Sequence, residues 1–97
     1  MWPGARMPRS SLVRIVIADD HPIFRDGLRR LLETEPDFRV VGEAADGREA
    51  KQLIERKSPD VVLLDLSMPA YDGLWLLEEL EPKELRVIVL TAALERR

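Results

Sequence analysis

Two aspartates, Asp19 and Asp20, follow the apolar run Ile15-Val16-Ile17-Ala18, and a third, Asp65, follows Val61-Val62-Leu63-Leu64. A hydroxyl, Thr91, follows Val87-Ile88-Val89-Leu90. Carboxylates brought together repel, so such a group holds a proton or gathers a cation. Magnesium suits it: the ion is hard, prefers oxygen ligands, and is usually held by one or two carboxylates plus a phosphate. A carboxylate can also attack phosphorus and become an aspartyl phosphate. The metal would then neutralise charge on the transferring group, and a hydroxyl would ligate a phosphoryl oxygen. One aspartate after one strand more often caps a helix or turns the chain. An Asp pair, a third Asp and a Thr at three strand ends point to chemistry instead.

The intervening residues say how these groups are held. Residues 12–18 are rich in Val and Ile and predict a buried strand. Pro22 suits the first turn of a helix, where its missing N–H costs nothing. Ile23, Phe24, Leu28, Leu31 and Leu32 continue it at helical spacing to about Pro36. Residues 38–44 predict a second strand. Asp46 is an N-cap for a second helix striped by Ala50, Leu53 and Ile54 and punctuated by Pro59. Residues 61–64 form a short continuous apolar strand, as expected when both faces are covered. Asp72-Gly73 opens a third helix over 74–80, which Pro82 ends, and residues 86–90 are a fourth strand. This alternation implies a parallel sheet with right-handed crossovers. Ligands of such sheets bind at the carboxyl ends of the strands, at the switch in strand order. Asp19, Asp20, Asp65 and Thr91 all fall at such ends.

Ninety-seven residues, 45% hydrophobic and 34% charged, make one modest domain. A net charge of −3 gives no electrostatic case for nucleic acid or an anionic membrane. The absence of cysteine suits a reducing cytoplasm. No apolar run approaches the ~20 residues that span a bilayer. Residues 1–11, with Pro3, Gly4, Pro8 and no periodicity, read as a disordered tail, leaving 12–97 as the domain.

Asp19-Asp20-His21-Pro22, Asp65 with Met68-Pro69 and Asp72-Gly73, and Leu90-Thr91-Ala92 together resemble a bacterial response regulator receiver domain. Phe24-Arg25 and Gly27-Leu28 after the acid pair resemble its NarL/FixJ (LuxR-type) subclass. The resemblance covers about residues 12–93 and implies a flavodoxin-like α/β fold, a cytoplasmic phosphorelay role and a histidine kinase partner. It makes Asp65 the phospho-acceptor and Asp20 a magnesium ligand, with Asp19 binding the ion directly or through water. Ser67 offers its backbone carbonyl to the metal, Thr91 is the switch hydroxyl, and Ala92 leaves room for the phosphoryl group.

The chain also departs from the family. Its lysines, Lys51, Lys57 and Lys83, all precede Thr91, so none takes the place of the family lysine that ends a fifth strand. The expectation is a receiver fold of four strands and three helices, with the fifth strand and last two helices absent. That would leave strand four and the first-helix face, including Ile23 and Leu31, open for a homodimer or larger assembly. Competing readings are a phosphate-independent interaction module, a gene fragment, and a phosphohydrolase with an aspartate nucleophile. The last lacks an acidic residue two positions after Asp65 and room for a cap. His21 reads as a capping or subclass residue rather than a ligand. Trp75 reads as a partly covered surface aromatic, and Phe24 and Phe38 as core.

Overall fold

The computed structural model describes residues 12–65, 68, 73–80 and 86–90. Along these the chain runs β1 (Val13–Ala18), α1 (Pro22–Leu32), β2 (Phe38–Ala44), α2 (Gly47–Lys57), β3 (Val61–Asp65), α3 (Gly73–Glu79) and β4 (Arg86–Leu90). The strands form one parallel sheet in the order β2-β1-β3-β4. This is the receiver-type α/β architecture expected from the sequence. The tail at 1–11, Ser67, Thr91 and Ala92 lie outside the described residues.

Side chains alternate across the sheet and build two cores. On one face Val16, Ala18, Val62 and Leu64 meet Ala50 and Leu53 of α2 and Leu76 of α3, with Met68 beside them. On the other, Ile15, Ile17 and Leu63 are covered by Leu28 and Leu32 of α1. Because helices cover both faces, β1 and β3 are apolar at every position from 15 to 18 and from 61 to 64.

Local signals explain the ends of the elements. Pro22 opens α1, and α1 stops at Leu32 in a series of tight turns before Pro36. Asp46 caps α2 by accepting the Glu49 N–H at 2.8 Å, while the Glu49 carboxylate accepts the Ala45 N–H at 2.8 Å. Ser58 ends α2 in the left-handed region (φ 47°). There Arg14 reaches across from β1 to donate to the carbonyls of Lys57 and Ser58. The β1–β2 register skips one residue, with Ile15 opposite Val40 and Val16 opposite Gly42.

Two core expectations are corrected. Phe24 is 46% exposed and Phe38 36% exposed. Phe24 continues the stripe of Leu28 and Leu32, but it stands in the first turn of α1 and, unlike them, packs against neither core. Phe38 opens β2, which among the described residues has a strand neighbour on one side only. No residue of α1 is fully buried; Ile23 and Leu31 are largely exposed, as the sequence led us to expect. Trp75 is partly buried against the α2–α3 core.

Candidate functional site

The chain leaves β1, pairs β2 on one side of it, and returns to pair β3 on the other. The switch in strand order therefore lies between the carboxyl ends of β1 and β3, where parallel α/β sheets bind ligands. Asp19 and Asp20 leave β1 there, and Asp65 ends β3. Carboxylate oxygens of all three, with a ring nitrogen of His21, lie within 4.8 Å of one another.

The burial of these groups is graded. Asp19 and Asp65 are buried (4% and 1% exposed), Asp20 is part-buried, and His21 is exposed. Asp19 Oδ1 accepts the His21 N–H at 2.7 Å and lies 3.1 Å from His21 Nδ1. Asp20 Oδ1 is 3.0 Å from the same nitrogen, close enough for charge attraction. It lacks the alignment of a hydrogen bond, so this buried oxygen has no hydrogen-bond partner. The hydrogen bond to Asp19, then the negative charge of Asp20, hold the His21 imidazolium above its ordinary pKa of 6.5. His21 is also the N-cap residue of α1, with no capping hydrogen bond from its side chain.

A hard dication fits this donor set. Carboxylate oxygens are the ligands it prefers, and the buried Asp20 Oδ1 accepts no hydrogen bond. Imidazole beside the group adds one positive charge when protonated, which only partly offsets three carboxylates.

Of the residues singled out from sequence, Asp19, Asp20 and Asp65 are brought together. β3 and β4 place Asp65 opposite Leu90. Sequence reasoning missed Arg25 and Glu43. Arg25, on α1, donates to the Asp19 carbonyl at 2.5 Å and to Glu43 Oε1 at 3.1 Å. No local pattern signals this contact, which joins the penultimate residue of β2 to Arg25 and Arg29 of α1.

Comparison with known proteins agrees with this arrangement. Residues 15–97 match the family model of the response regulator receiver domain. Among curated relatives, transcriptional regulatory protein DegU of Brevibacillus brevis is 41% identical over 81 residues, covering 81% of this chain and 34% of DegU. The nitrate/nitrite response regulator NarL of Escherichia coli K12 is 42% identical over 81 residues, covering 81% of this chain and 38% of NarL. The chain thus spans little more than a third of the length of these relatives. Among solved structures, the receiver domain of NarL from Mycobacterium tuberculosis superposes with a TM-score of 0.74 at 42% identity, covering 84% of this chain and 68% of that one. RcsB of Salmonella enterica, bound to promoter rprA with a phosphomimetic beryllium fluoride, gives 0.76 at 35% identity, covering 84% of this chain and 43% of that one.

Proposed function

Because this chain belongs to the response regulator receiver domain family of two-component systems, whose general function is phosphorylation on an aspartate, we propose that Asp65 is its phospho-acceptor. The observation that carries this reading is the convergence of Asp19, Asp20 and Asp65 at the β1/β3 switch point. An Asp65 oxygen attacks phosphorus, an aspartyl phosphate forms, and the bond to the donor breaks. For a phosphohistidine donor that bond is P–N, and the freed imidazole takes up a proton. Asp19, Asp20, Asp65 and the Ser67 carbonyl would hold Mg2+. When bound, the ion neutralises charge on the transferring phosphoryl group. Burial of Asp65, 1% exposed at the end of β3, limits water at the acceptor. Thr91 would then hydrogen-bond a phosphoryl oxygen, with Ala92 leaving space beside it.

Receiver domains of response regulators interact with histidine kinases. We assign such a kinase as the phosphoryl donor and the cytoplasm as the location. Among the described residues no helix is long and apolar enough to cross a membrane. The exposed Ile23, Phe24 and Leu31 of α1 favour self-association through that face, which sedimentation across a concentration series would detect. In longer relatives named as transcriptional regulators the receiver is one part of the chain; its phosphorylation would control the remaining part.

The test is an amide nitrogen–proton spectrum recorded with Mg2+ and beryllium fluoride. Shifts centred on Asp20 and Asp65, lost in Asp65→Ala, are expected. A dispersed spectrum that ignores both additions would refute the assignment.

A further inference from the structure

The peptide groups around Asp19 are held on both sides. The Asp19 N–H donates to the Ala44 carbonyl at 2.9 Å. The Asp19 carbonyl accepts from an Arg25 guanidinium nitrogen at 2.5 Å. That guanidinium is mostly buried, and its Nε donates to Glu43 Oε1 at 3.1 Å. Glu43 is the covalent neighbour of Ala44, so the contacts close a circuit: Asp19 N–H, Ala44, Glu43, Arg25, Asp19 carbonyl. The other Glu43 oxygen takes Arg29 Nε at 3.1 Å, and Arg29 is tied to Asp26 at 2.6 Å. Glu43 is thereby braced between two arginines of α1.

The Asp19 carbonyl belongs to the peptide plane that joins Asp19 to Asp20. Its direction sets where both side chains depart from the backbone. We propose that Arg25, oriented by Glu43, is a positioning residue for the acidic site. It fixes the Asp19–Asp20 peptide plane so that the two carboxylates converge with Asp65 on a divalent cation. This rests on the magnesium reading above. Arg25 need not touch cation or phosphoryl group: its planar fork serves a carbonyl and a carboxylate at once, which a single ammonium does less well.

Charge alone makes the opposite forecast, which gives the test its power. A guanidinium near a cation site repels the cation, so its removal would tighten binding if charge were all that mattered. Positioning predicts that removal loosens it.

The experiment is a calorimetric titration of the 97-residue chain with magnesium chloride, with amide spectra of every variant as the check on folding. Arg25→Ala is expected to weaken magnesium binding about 10–100-fold, the usual effect of losing a group that orients a metal ligand. Arg25→Lys, which keeps the charge, should recover only part of that. Glu43→Ala combined with Arg25→Ala should be little worse than Arg25→Ala alone, because the two residues form one device. A folded Arg25→Ala chain that binds magnesium as tightly as the parent, or more tightly, overturns the proposal. Should Arg25→Ala lose its dispersed spectrum, Arg25→Lys decides: affinity equal to the parent overturns it, and a loss supports it. A parent chain that binds no magnesium overturns the metal reading itself, and the positioning role with it.

Discussion

Asp20→Asn should stabilise the metal-free fold and abolish its response to magnesium. The side chain keeps its shape and loses its charge, and Asp20 Oδ1 has no hydrogen bond to give up. Its carboxylate lies within 4.8 Å of those of Asp19 and Asp65, a separation worth roughly 3.5 kcal/mol of repulsion per pair at an effective dielectric of about 20. Two offsets reduce this. The Asp20 side chain retains 27% of its exposure to solvent, and a protonated His21 attracts the same charge. A net gain of about 1–2 kcal/mol remains, or roughly 4–16 °C in Tm for a domain of this size. Magnesium should reverse the ranking: at 100 times Kd it adds about 2.7 kcal/mol to the parent chain and little to the variant. The pH dependence has a defined sign. The raised folded pKa of His21 contributes stability that is fully present below 6.5 and lost as pH rises through the folded value. Asp20→Asn removes one cause of that rise, so its advantage should be larger at pH 8 than at pH 6. Thermal melts with EDTA and with magnesium, at both pH values, measure all of this. A variant less stable than its parent in EDTA at pH 8 would refute the repulsion argument. Equal gains from magnesium in both chains would remove Asp20 from the ligand set.

Two further predictions concern the frame. A Cβ at Gly42 would lie 3.0 Å from both methyls of Leu53, which is 8% exposed and held in the core. Gly42→Ala should therefore cost about 1–3 kcal/mol in urea unfolding, and its cost should shrink when Leu53 is also Ala. Asp46→Ala removes the acceptor for the Glu49 N–H and should cost about 1 kcal/mol, whereas an unchanged urea midpoint would mean that the cap adds nothing.

The sequence made the element order and the acid cluster legible because both rest on strong local signals. The apolar runs at 15–18 and 61–64 have no polar interruption, Pro22 and Asp46 mark helix starts, and β2 and β4 have the bounds that patterning predicts. The carboxylates were found because they stand where those runs stop. The misreadings arise where burial depends on what lies opposite. Phe24 has the right spacing but stands in the first turn of α1 outside both cores, and Phe38 opens β2, at the edge of the sheet among the described residues. The Arg25–Glu43 contact joins residues 18 apart in sequence, so it depends on how α1 lies against β2, which no local pattern encodes. His21 occupies the N-cap position without capping through its side chain, and its nearness to two carboxylates follows only from the turn after β1.

The way α1 is attached has a consequence for local unfolding. Every other helix whose side chains are described sends at least one fully buried side chain into the core, whereas α1 sends none. Its attachment is instead the partial cover of Leu28 and Leu32 together with the two arginines on Glu43. Such a segment opens sub-globally at lower free energy than the strands beneath it. In native-state hydrogen exchange, the amides of the later turns of α1 should exchange ahead of those of β1 and β3. The gap should change little with salt, since part-buried ion pairs at 3.1 Å are screened far less than exposed charges a Debye length apart. Opening α1 would also release the Asp19 carbonyl from Arg25. A cation held by Asp19 and Asp20 would then slow exchange in a helix it does not touch, so the helix would report occupancy of the site.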